Sequence, residues 1–297
     1  MRYSKRGLLS AIPIIAILFL LSYLPGQGVH SNDSDLIGAT PLPEVTIYNT
    51  EVQSISSQIV GQEYKLSVAL PTNYLTSPNQ HYPVLYLLDP QNSFGTVTEY
   101  VRHRIFGREF PEIIIVGIGY PTNDPDRLMN LRQRDYTPTS LSGDVMLGGA
   151  AHFLDFITQE LIPFVDKHYR TTPGDRAIAG HSLGGLFVIY SLFHGSGIFS
   201  RYIASSPSVW WDEKTIFNDE AEYAQTHSDL PARLYLSVGQ LETDSFIDMV
   251  GDVNKFSDVL KRRAYPGLAL TLWVIDDETH FSVAAQALTD GIRAVYQ

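Results

Sequence analysis

Residues 178–186 constrain the fold of this chain more than any other stretch. They read Ile-Ala-Gly-His-Ser-Leu-Gly-Gly-Leu, which places Ser182 between Gly180 and Gly184 in a Gly-x-Ser-x-Gly pattern. Apolar residues on both sides predict a short strand before the turn and a helix after it. A serine in such a turn adopts a strained backbone for which only neighbouring glycines leave room, and its Oγ stands above the sheet edge. The pattern predicts a nucleophile at Ser182, with a capping serine in an ordinary turn as the alternative.

A nucleophilic serine needs hydrogen-bond donors for the oxyanion that forms when it attacks a carbonyl group. In this kind of turn the backbone N–H of the following residue, here Leu183, is one donor. The second donor comes from the loop after an apolar run at residues 84–88. Pro90 in that loop has no N–H. We therefore expect Gln91 to be the second donor, with Asn92 as the next candidate.

The serine also needs a base that takes its proton. Among nine histidines, His280 is the best placed, because it lies in a polar loop between the last predicted strand and the last predicted helix. A carboxylate must hold this base in the correct tautomer. The chain order Ser, acid, His places the carboxylate in the loop after residues 234–238, where Glu242 is favoured over Asp244. A site that works with serine and histidine alone is a further alternative.

The remaining pattern predicts an α/β fold. Continuous apolar runs are typical of parallel strands buried on both faces, and here such runs alternate with segments of helical spacing. Strands are predicted at residues 45–58, 62–70, 84–88, 113–118, 202–206, 234–238 and 268–275, besides the one before Ser182. Helices are predicted at residues 96–106, 149–169, 246–264 and 281–296, besides the one after Ser182. Residues 119–147 show no periodicity and are expected to be irregular. The result is a mostly parallel sheet with an antiparallel amino-terminal edge and helices on both faces.

Length and composition narrow the possible functions. The 297 residues accommodate one large α/β domain, which we place at residues 44–297. The net charge of −11 argues against general binding to nucleic acid. The chain has no cysteine, which excludes disulfides, thiolate chemistry and cysteine-type zinc sites. With no His-Glu-x-x-His pattern and no phosphate-binding glycine loop, we expect neither a metal nor another cofactor.

The amino terminus predicts export. Arg2, Lys5 and Arg6 precede an apolar run at residues 8–24. A basic segment followed by such a run is typical of a secretory signal peptide, which we place at residues 1–28. The run is also nearly long enough to be an uncleaved membrane anchor. With a polar linker at residues 29–43, we expect a periplasmic or secreted protein, or one held at the inner membrane.

Four segments in order carry a family resemblance: residues 85–89, 132–138, 180–185 and 206–211. Together they make the chain resemble the putative-esterase family of α/β-hydrolases, and within it the esterases of ferric siderophores of the enterobactin or salmochelin type. The resemblance covers about residues 44–297. It implies the α/β-hydrolase fold and hydrolysis of carboxylic esters through an acyl-enzyme, and it supports Ser182, His280 and a glutamate at position 242.

The expected partner is a small-molecule ester, a siderophore trilactone with or without its iron. Arg132 and Arg134 are predicted to pair with an anionic substrate, since a guanidinium binds oxyanions bidentately. Trp210 and Trp211 are predicted to line a pocket for acyl or catecholate groups. The alternatives are a solvated loop for the arginines and core packing for the tryptophans. The alternative functions are a feruloyl, acetyl or general carboxylesterase, and a ligand binder without catalysis on the same fold.

Overall fold

A mixed sheet of eight strands organises the described part of the chain. The structure is a computed structural model and describes residues 46–141, 147–195, 197–244 and 247–297. The predicted signal peptide or anchor and the predicted linker lie outside these residues. Residues Ile47–Gln297 form one unit. Within the described ranges, no helix has both the length and the apolar character that crossing a bilayer requires.

The strands follow the order β1-β2-β4-β3-β5-β6-β7-β8 across the sheet. Their bounds are β1 Thr50–Ser56, β2 Glu63–Ala69, β3 Tyr82–Leu88, β4 Ile114–Gly119, β5 Thr171–His181, β6 Arg201–Ser205, β7 Ala232–Gly239 and β8 Leu268–Ile275. The pairs β1–β2 and β2–β4 are antiparallel, and the other neighbours are parallel. The predicted fold class, a mostly parallel sheet with an antiparallel amino-terminal edge, is confirmed.

Helices cover both faces of the sheet. Their bounds are α1 Pro90–Phe106, α2 Pro125–Tyr136, α3 Ala150–Phe156, α4 Ile162–His168, α5 Leu183–His194, α6 Trp211–Lys214, α7 Ile216–Thr226, α8 Met249–Arg263 and α9 Val283–Tyr296. A π-helical turn, Ile157–Leu161, joins α3 to α4. The helices α1 and α9 pack together on one face, and α5 packs against β5 and β6 on the other.

Strand β3 illustrates why the central strands are apolar throughout. Successive side chains of a strand point to opposite faces. Leu85 and Leu87 therefore enter the core beneath α1 and α9, whereas Tyr86 and Leu88 enter the core on the side of α5. All four are buried, so neither face of this strand can carry polar side chains. The alternation of polar and apolar residues that is typical of a strand with one exposed face is therefore absent.

The prediction that residues 119–147 are irregular is wrong for α2. Its start follows ordinary capping rules, because Asp124 accepts a hydrogen bond from the N–H of Arg127 and proline occupies the first turn. Its buried residues are Arg132, Asp135 and Tyr136, whereas its leucines, Leu128 and Leu131, are only partly buried. A helix that buries charged side chains has no apolar periodicity, and this hides it from the pattern.

Helix α1 begins at Pro90, earlier than the predicted start near residue 96. Asp89 adopts a left-handed conformation, with φ 50°, and turns the chain sharply at the end of β3. Proline then fits the first helical position, where its missing N–H has no helical partner to lose. The early start places the first turn of α1 at the carboxyl end of the sheet.

Candidate active site

The carboxyl ends of the parallel strands meet at one edge of the sheet. Ser182 directly follows β5, Glu242 lies in the loop after β7, and His280 lies in the loop after β8. Because β5 is separated from β7 by β6 alone, and β8 pairs with β7, these loops are neighbours. The topology thus brings together side chains that are far apart in the sequence.

Ser182 occupies a strained turn with φ 61° and ψ −121°. A Cβ atom at position 180 would lie 2.5 Å from the backbone carbon of Gly184, so position 180 accepts only glycine. The N–H of Ser182 donates to the carbonyl of Ser205 at 2.9 Å, which ties the turn to the end of β6. Close packing of the backbone therefore fixes where the Ser182 side chain points.

The three predicted catalytic side chains form a continuous hydrogen-bonded chain. The distance between Ser182 Oγ and His280 Nε2 is 2.9 Å. His280 Nδ1 lies 2.6 Å from Glu242 Oε2. Asp244, the other acid considered, instead accepts the N–H of Ile247 at 2.8 Å. Of the two carboxylates, Glu242 is the one that the structure pairs with His280.

Glu242 is buried, and the carboxylate oxygen that does not face His280, Oε1, also has hydrogen-bond partners. Oε1 accepts hydrogen bonds from the N–H of Gly239 and from Ser206 Oγ, both at 2.6 Å. Glu242 is therefore held as an acceptor for the histidine N–H, as orientation of the base requires.

His181, the residue before the nucleophile, packs against His280. The two ring centroids are 4.7 Å apart with an interplanar angle of 37°. His181 Nδ1 lies 2.9 Å from Ser205 Oγ. Burial, helped by the nearby His280 and Arg132, lowers the pKa of His181 well below its usual value, although a hydrogen bond to the His280 backbone acts in the opposite direction. His181 is consequently neutral at neutral pH.

The two residues predicted as oxyanion donors each lie at the start of a helix. Leu183 is the first residue of α5, so its N–H has no acceptor inside that helix. Gln91 is the second residue of α1 and follows Pro90. The N–H of Asn92 donates to the Asp89 carbonyl at 3.1 Å. This engagement of Asn92 favours Gln91 over Asn92 as the second donor.

Arg132 and Arg134, predicted to bind an anionic substrate, both have partners within the protein. Arg132 is buried, with Nε 2.9 Å from both carboxylate oxygens of Asp89, and its Nη2 donates to the His181 carbonyl at 3.1 Å. Arg134 Nε lies 2.7 Å from Asp135 Oδ1. Because the fold already neutralises these guanidinium charges, the substrate-binding role predicted for them finds no support in the structure.

The two tryptophans predicted to line a pocket have different environments. Trp211 is buried in the core, and its Nε1 donates to Thr139 Oγ1 at 3.2 Å. Trp210 is half-buried and packs at the edge of that core, with its ring centroid 5.9 Å from that of Trp211. Core packing accounts for Trp211, which leaves Trp210 as the candidate for substrate contact.

Three residues near the site make contacts that the sequence did not predict. Ser206 binds the carboxylate of Glu242, Ser208 Oγ lies 3.5 Å from Ser182 Oγ, and Asp89 pairs with Arg132. All three belong to segments that carry the family resemblance. Their polar side chains beside buried strands were the available signal, but no spacing rule identifies their partners.

A serine in a strained strand-to-helix turn, joined to a histidine and a carboxylate from later loops of an α/β sheet, defines a serine hydrolase of the α/β-hydrolase fold. A family model described as "Putative esterase" matches residues 57–263. The chain belongs to this family, and it is an ester hydrolase.

Known relatives agree with this assignment. The chain is 32% identical over 266 residues to the ferri-bacillibactin esterase BesA of Bacillus subtilis, covering 84% of this chain and 90% of BesA. It is 33% identical over 216 residues to a siderophore triacetylfusarinine C esterase of Aspergillus fumigatus, covering 69% and 72% of the two chains. The crystal structure of the BES protein from Bacillus cereus superposes with a TM-score of 0.77 at 30% identity, covering 87% of this chain and 99% of that one.

Proposed function

We propose that Ser182, His280 and Glu242 are the catalytic triad of an exported esterase that cleaves the ester bonds of a catecholate siderophore trilactone. The observation that carries the proposal is the pair of hydrogen bonds through His280, 2.9 Å to Ser182 Oγ and 2.6 Å to Glu242 Oε2. This is the geometry in which a base accepts the serine proton while a carboxylate holds its tautomer.

The reaction proceeds in two steps. Ser182 Oγ attacks the ester carbonyl carbon while His280 Nε2 takes the hydroxyl proton, and the N–H groups of Leu183 and Gln91 bind the oxyanion. The tetrahedral intermediate collapses when His280 returns that proton to the leaving alkoxide, which departs as an alcohol. A water molecule, deprotonated by His280, then attacks the acyl-enzyme and releases the acid and the free serine.

The siderophore assignment is supported by the names of the relatives and by the surface next to His280. Phe281 is 62% exposed and Leu241 is 56% exposed, although both adjoin the site. The ring of Phe281 lies edge-on to that of His280, at 5.5 Å between centroids. Phe281 and Leu241 thus offer exposed apolar side chains, next in sequence to His280 and Glu242, that can contact the catechol rings of such a substrate.

We further propose that residues 1–28 are a leader that directs the enzyme to the periplasm. This location suits an enzyme that meets a siderophore after its uptake through the outer membrane. Mass spectrometry of the amino terminus of the protein from its native host tests this part. A mature protein that begins near residue 29 supports cleavage, whereas an intact leader supports a membrane anchor.

The decisive experiment compares the wild-type enzyme with Ser182→Ala on three substrates: ferric enterobactin, iron-free enterobactin and methyl ferulate. We expect hydrolysis of enterobactin to exceed that of methyl ferulate, and Ser182→Ala to abolish both without altering the circular dichroism spectrum. Faster cleavage of methyl ferulate overturns the siderophore assignment. Turnover by Ser182→Ala overturns the triad.

Labelling by a fluorophosphonate probe tests for catalysis independently of the substrate. The probe reacts with an activated serine, so we expect wild-type protein to be labelled and Ser182→Ala to remain unlabelled. A protein that binds ligands in the same cleft without catalysis would not react. The label thus separates an enzyme with an unknown substrate from a binding protein.

A further inference from the structure

The turn at residues 206–208, Ser-Pro-Ser, contacts both ends of the proposed triad. It follows β6 directly, between the loop that carries Glu242 and the turn that carries Ser182. We propose that Ser206 is a positioning residue for Glu242 and that Ser208 is a catalytic residue whose hydroxyl donates to Ser182 Oγ. This inference rests on the triad of Ser182, His280 and Glu242 proposed above.

Ser206 holds Glu242 Oε1 from a strained backbone. Its Oγ donates to Glu242 Oε1 at 2.6 Å, and its N–H donates to the Ser237 carbonyl at 2.8 Å. The residue is fully buried, and its φ is 40°. A positive φ at a residue other than glycine is costly and persists only where its surroundings impose it, which is often at functional sites. The strain aims the hydroxyl at the carboxylate.

Ser208 faces the nucleophile. It is 1% exposed, its Oγ lies 3.5 Å from Ser182 Oγ, and its N–H donates to the Ser182 carbonyl at 3.1 Å. Each hydroxyl has one hydrogen to donate. Because the hydrogen of Ser182 points to His280 Nε2 in the reactive state, Ser208 must be the donor between the two serines.

The distance between Ser208 Oγ and Ser182 Oγ determines at which stage of the reaction the Ser208 hydroxyl contributes. At 3.5 Å an O–H···O interaction is weak. Hydrogen bonds to charged oxygen atoms are shorter and stronger than those to neutral ones. Negative charge builds on Ser182 Oγ when it loses its proton during attack, and again when it leaves the acyl carbon during deacylation. The Ser208 hydroxyl therefore stabilises these transition states more than the resting enzyme, which is the requirement for a gain in rate.

Pro207 keeps the two serines in a fixed relation. A Cβ atom at position 185, in the first turn of α5, would lie 3.0 Å from Pro207 Cα. The turn thus packs directly on the helix that begins after the nucleophile, and the proline ring fixes its own φ. This contact couples the position of Glu242 to that of Ser182 through three consecutive residues.

The Ser206 role is tested with Ser206→Ala and Ser206→Gly. Both variants remove the hydroxyl, but only glycine relieves the strain at positive φ, so their stabilities differ. We expect kcat on p-nitrophenyl acetate to fall about 10-fold in both, at unchanged KM, because a hydrogen bond to a charged group is lost. A loss of kcat at unchanged KM distinguishes a positioning role in the chemical step from a loss of substrate binding.

A matched control is Ala264→Gly, which relieves a positive φ of 55° at the carboxyl end of α8. We expect it to leave kcat and KM unchanged. If the two Ser206 variants show wild-type kcat, the positioning role is refuted. If activity instead follows stability, so that Ser206→Gly matches the wild type and Ser206→Ala does not, the backbone and not the hydroxyl is responsible.

The Ser208 role is tested with Ser208→Ala and Ser208→Thr. We expect Ser208→Ala to lower kcat roughly 5- to 10-fold at unchanged KM, because a hydrogen bond to the nucleophile oxygen is lost. Ser208→Thr keeps a hydroxyl and should recover most of kcat. A wild-type kcat in Ser208→Ala, or equal losses in the two variants, overturns the catalytic role.

Ser182→Ala, measured in the same assays, separates failure of this inference from failure of the proposed function. Turnover by Ser182→Ala would show that the triad itself is wrong. An inactive Ser182→Ala together with unaffected Ser206 and Ser208 variants would leave the triad intact and refute only the roles of the turn.

Discussion

Ser182 lies in a turn whose neighbours are buried and packed at van der Waals distance, whereas His280 lies in a loop whose residues are mostly exposed. Around the serine, the constraint is backbone against backbone, as between positions 180 and 184. The histidine loop depends on hydrogen bonds, such as that from the Leu241 N–H to the Glu278 carbonyl at 3.0 Å. We name these two regions the nucleophile turn and the histidine loop.

Because the two regions are constrained in different ways, we expect them to respond differently to substitutions. The nucleophile turn fails when volume is added at position 180, because the backbone atoms that face it cannot move aside. The histidine loop fails when a hydrogen-bond partner is lost, because its residues have little packing to hold them. Variants of the two regions should therefore differ in whether activity is lost with stability or without it.

The largest expected effect on kcat comes from Glu242, the hydrogen-bond partner of His280 in the histidine loop. Glu242→Gln leaves the size of the side chain unchanged but removes the charge that holds His280, so the imidazole adopts the wrong tautomer. We expect kcat to fall roughly 10⁴-fold, with the midpoint of urea unfolding nearly unchanged. The matched variant Asp244→Asn should stay within about threefold, since Asp244 caps its own loop. A reversed order of the two effects in steady-state assays would reassign the acid.

The next effect belongs to the nucleophile turn and distinguishes its two glycines. A Cβ atom at position 180 would lie 2.5 Å from backbone atoms, whereas one at position 184 would lie 3.3 Å from Asp89 Oδ2. We expect Gly180→Ala to cost about 3 kcal/mol of unfolding free energy and roughly 100-fold in kcat. Gly184→Ala should cost less than about 1 kcal/mol. Urea unfolding and steady-state kinetics measure both, and similar losses would contradict the steric explanation.

The sequence predicts the nucleophile turn well because steric constraints leave few alternatives. Only glycine fits at position 180, so the pattern around Ser182 is readable from one chain. The sheet is predicted for the same reason, since strands such as β3 must be apolar on both faces. The bounds of β8 coincide with those predicted, residues 268–275.

The histidine loop and its supports are predicted less completely because hydrogen bonds accept many partners. The choice between Glu242 and Asp244 depends on the direction of a loop, which no spacing encodes. Arg132 shows the same limitation. Its charge is visible in the sequence, but Asp89, its partner, lies 43 residues away. The same limitation hides α2 from the sequence pattern, because two of its three buried residues, Arg132 and Asp135, are charged.

The third prediction concerns Arg132 of α2, which pairs with Asp89 at the end of β3 and donates to the His181 carbonyl in the nucleophile turn. Arg132→Gln leaves Asp89 buried without its charged partner, and breaking a buried pair in this way typically costs about 3 kcal/mol. We expect a loss of that size in urea unfolding, with KM for ferric enterobactin unchanged. Lys261→Gln, which removes an exposed ion pair with Asp258, should cost less than about 0.5 kcal/mol. A raised KM at unchanged stability would restore Arg132 as a substrate-binding residue.

The smallest expected effect, on the free energy of unfolding, concerns His181. This residue is part of the nucleophile turn, and its ring contacts His280 in the histidine loop. Its pKa is lowered in the folded protein. Below pH 6.5 the unfolded chain therefore binds a proton at this position that the folded chain does not. Its contribution makes the folded state less stable as the pH falls, by up to about 1.4 kcal/mol per pH unit, and the loss ceases once the pH is below the folded pKa.

His181→Gln should remove this contribution, so its unfolding free energy should decline less than that of the wild type between pH 6.5 and pH 5.5. His168 is exposed, and His168→Gln is the control that should keep the wild-type pH dependence. Urea unfolding at the two pH values measures the difference. Parallel declines in wild type and His181→Gln would mean that His181 is protonated in the folded state. The ring packed against His280 would then carry a charge that repels the imidazolium formed during catalysis, and the two regions would oppose each other where we expect them to cooperate.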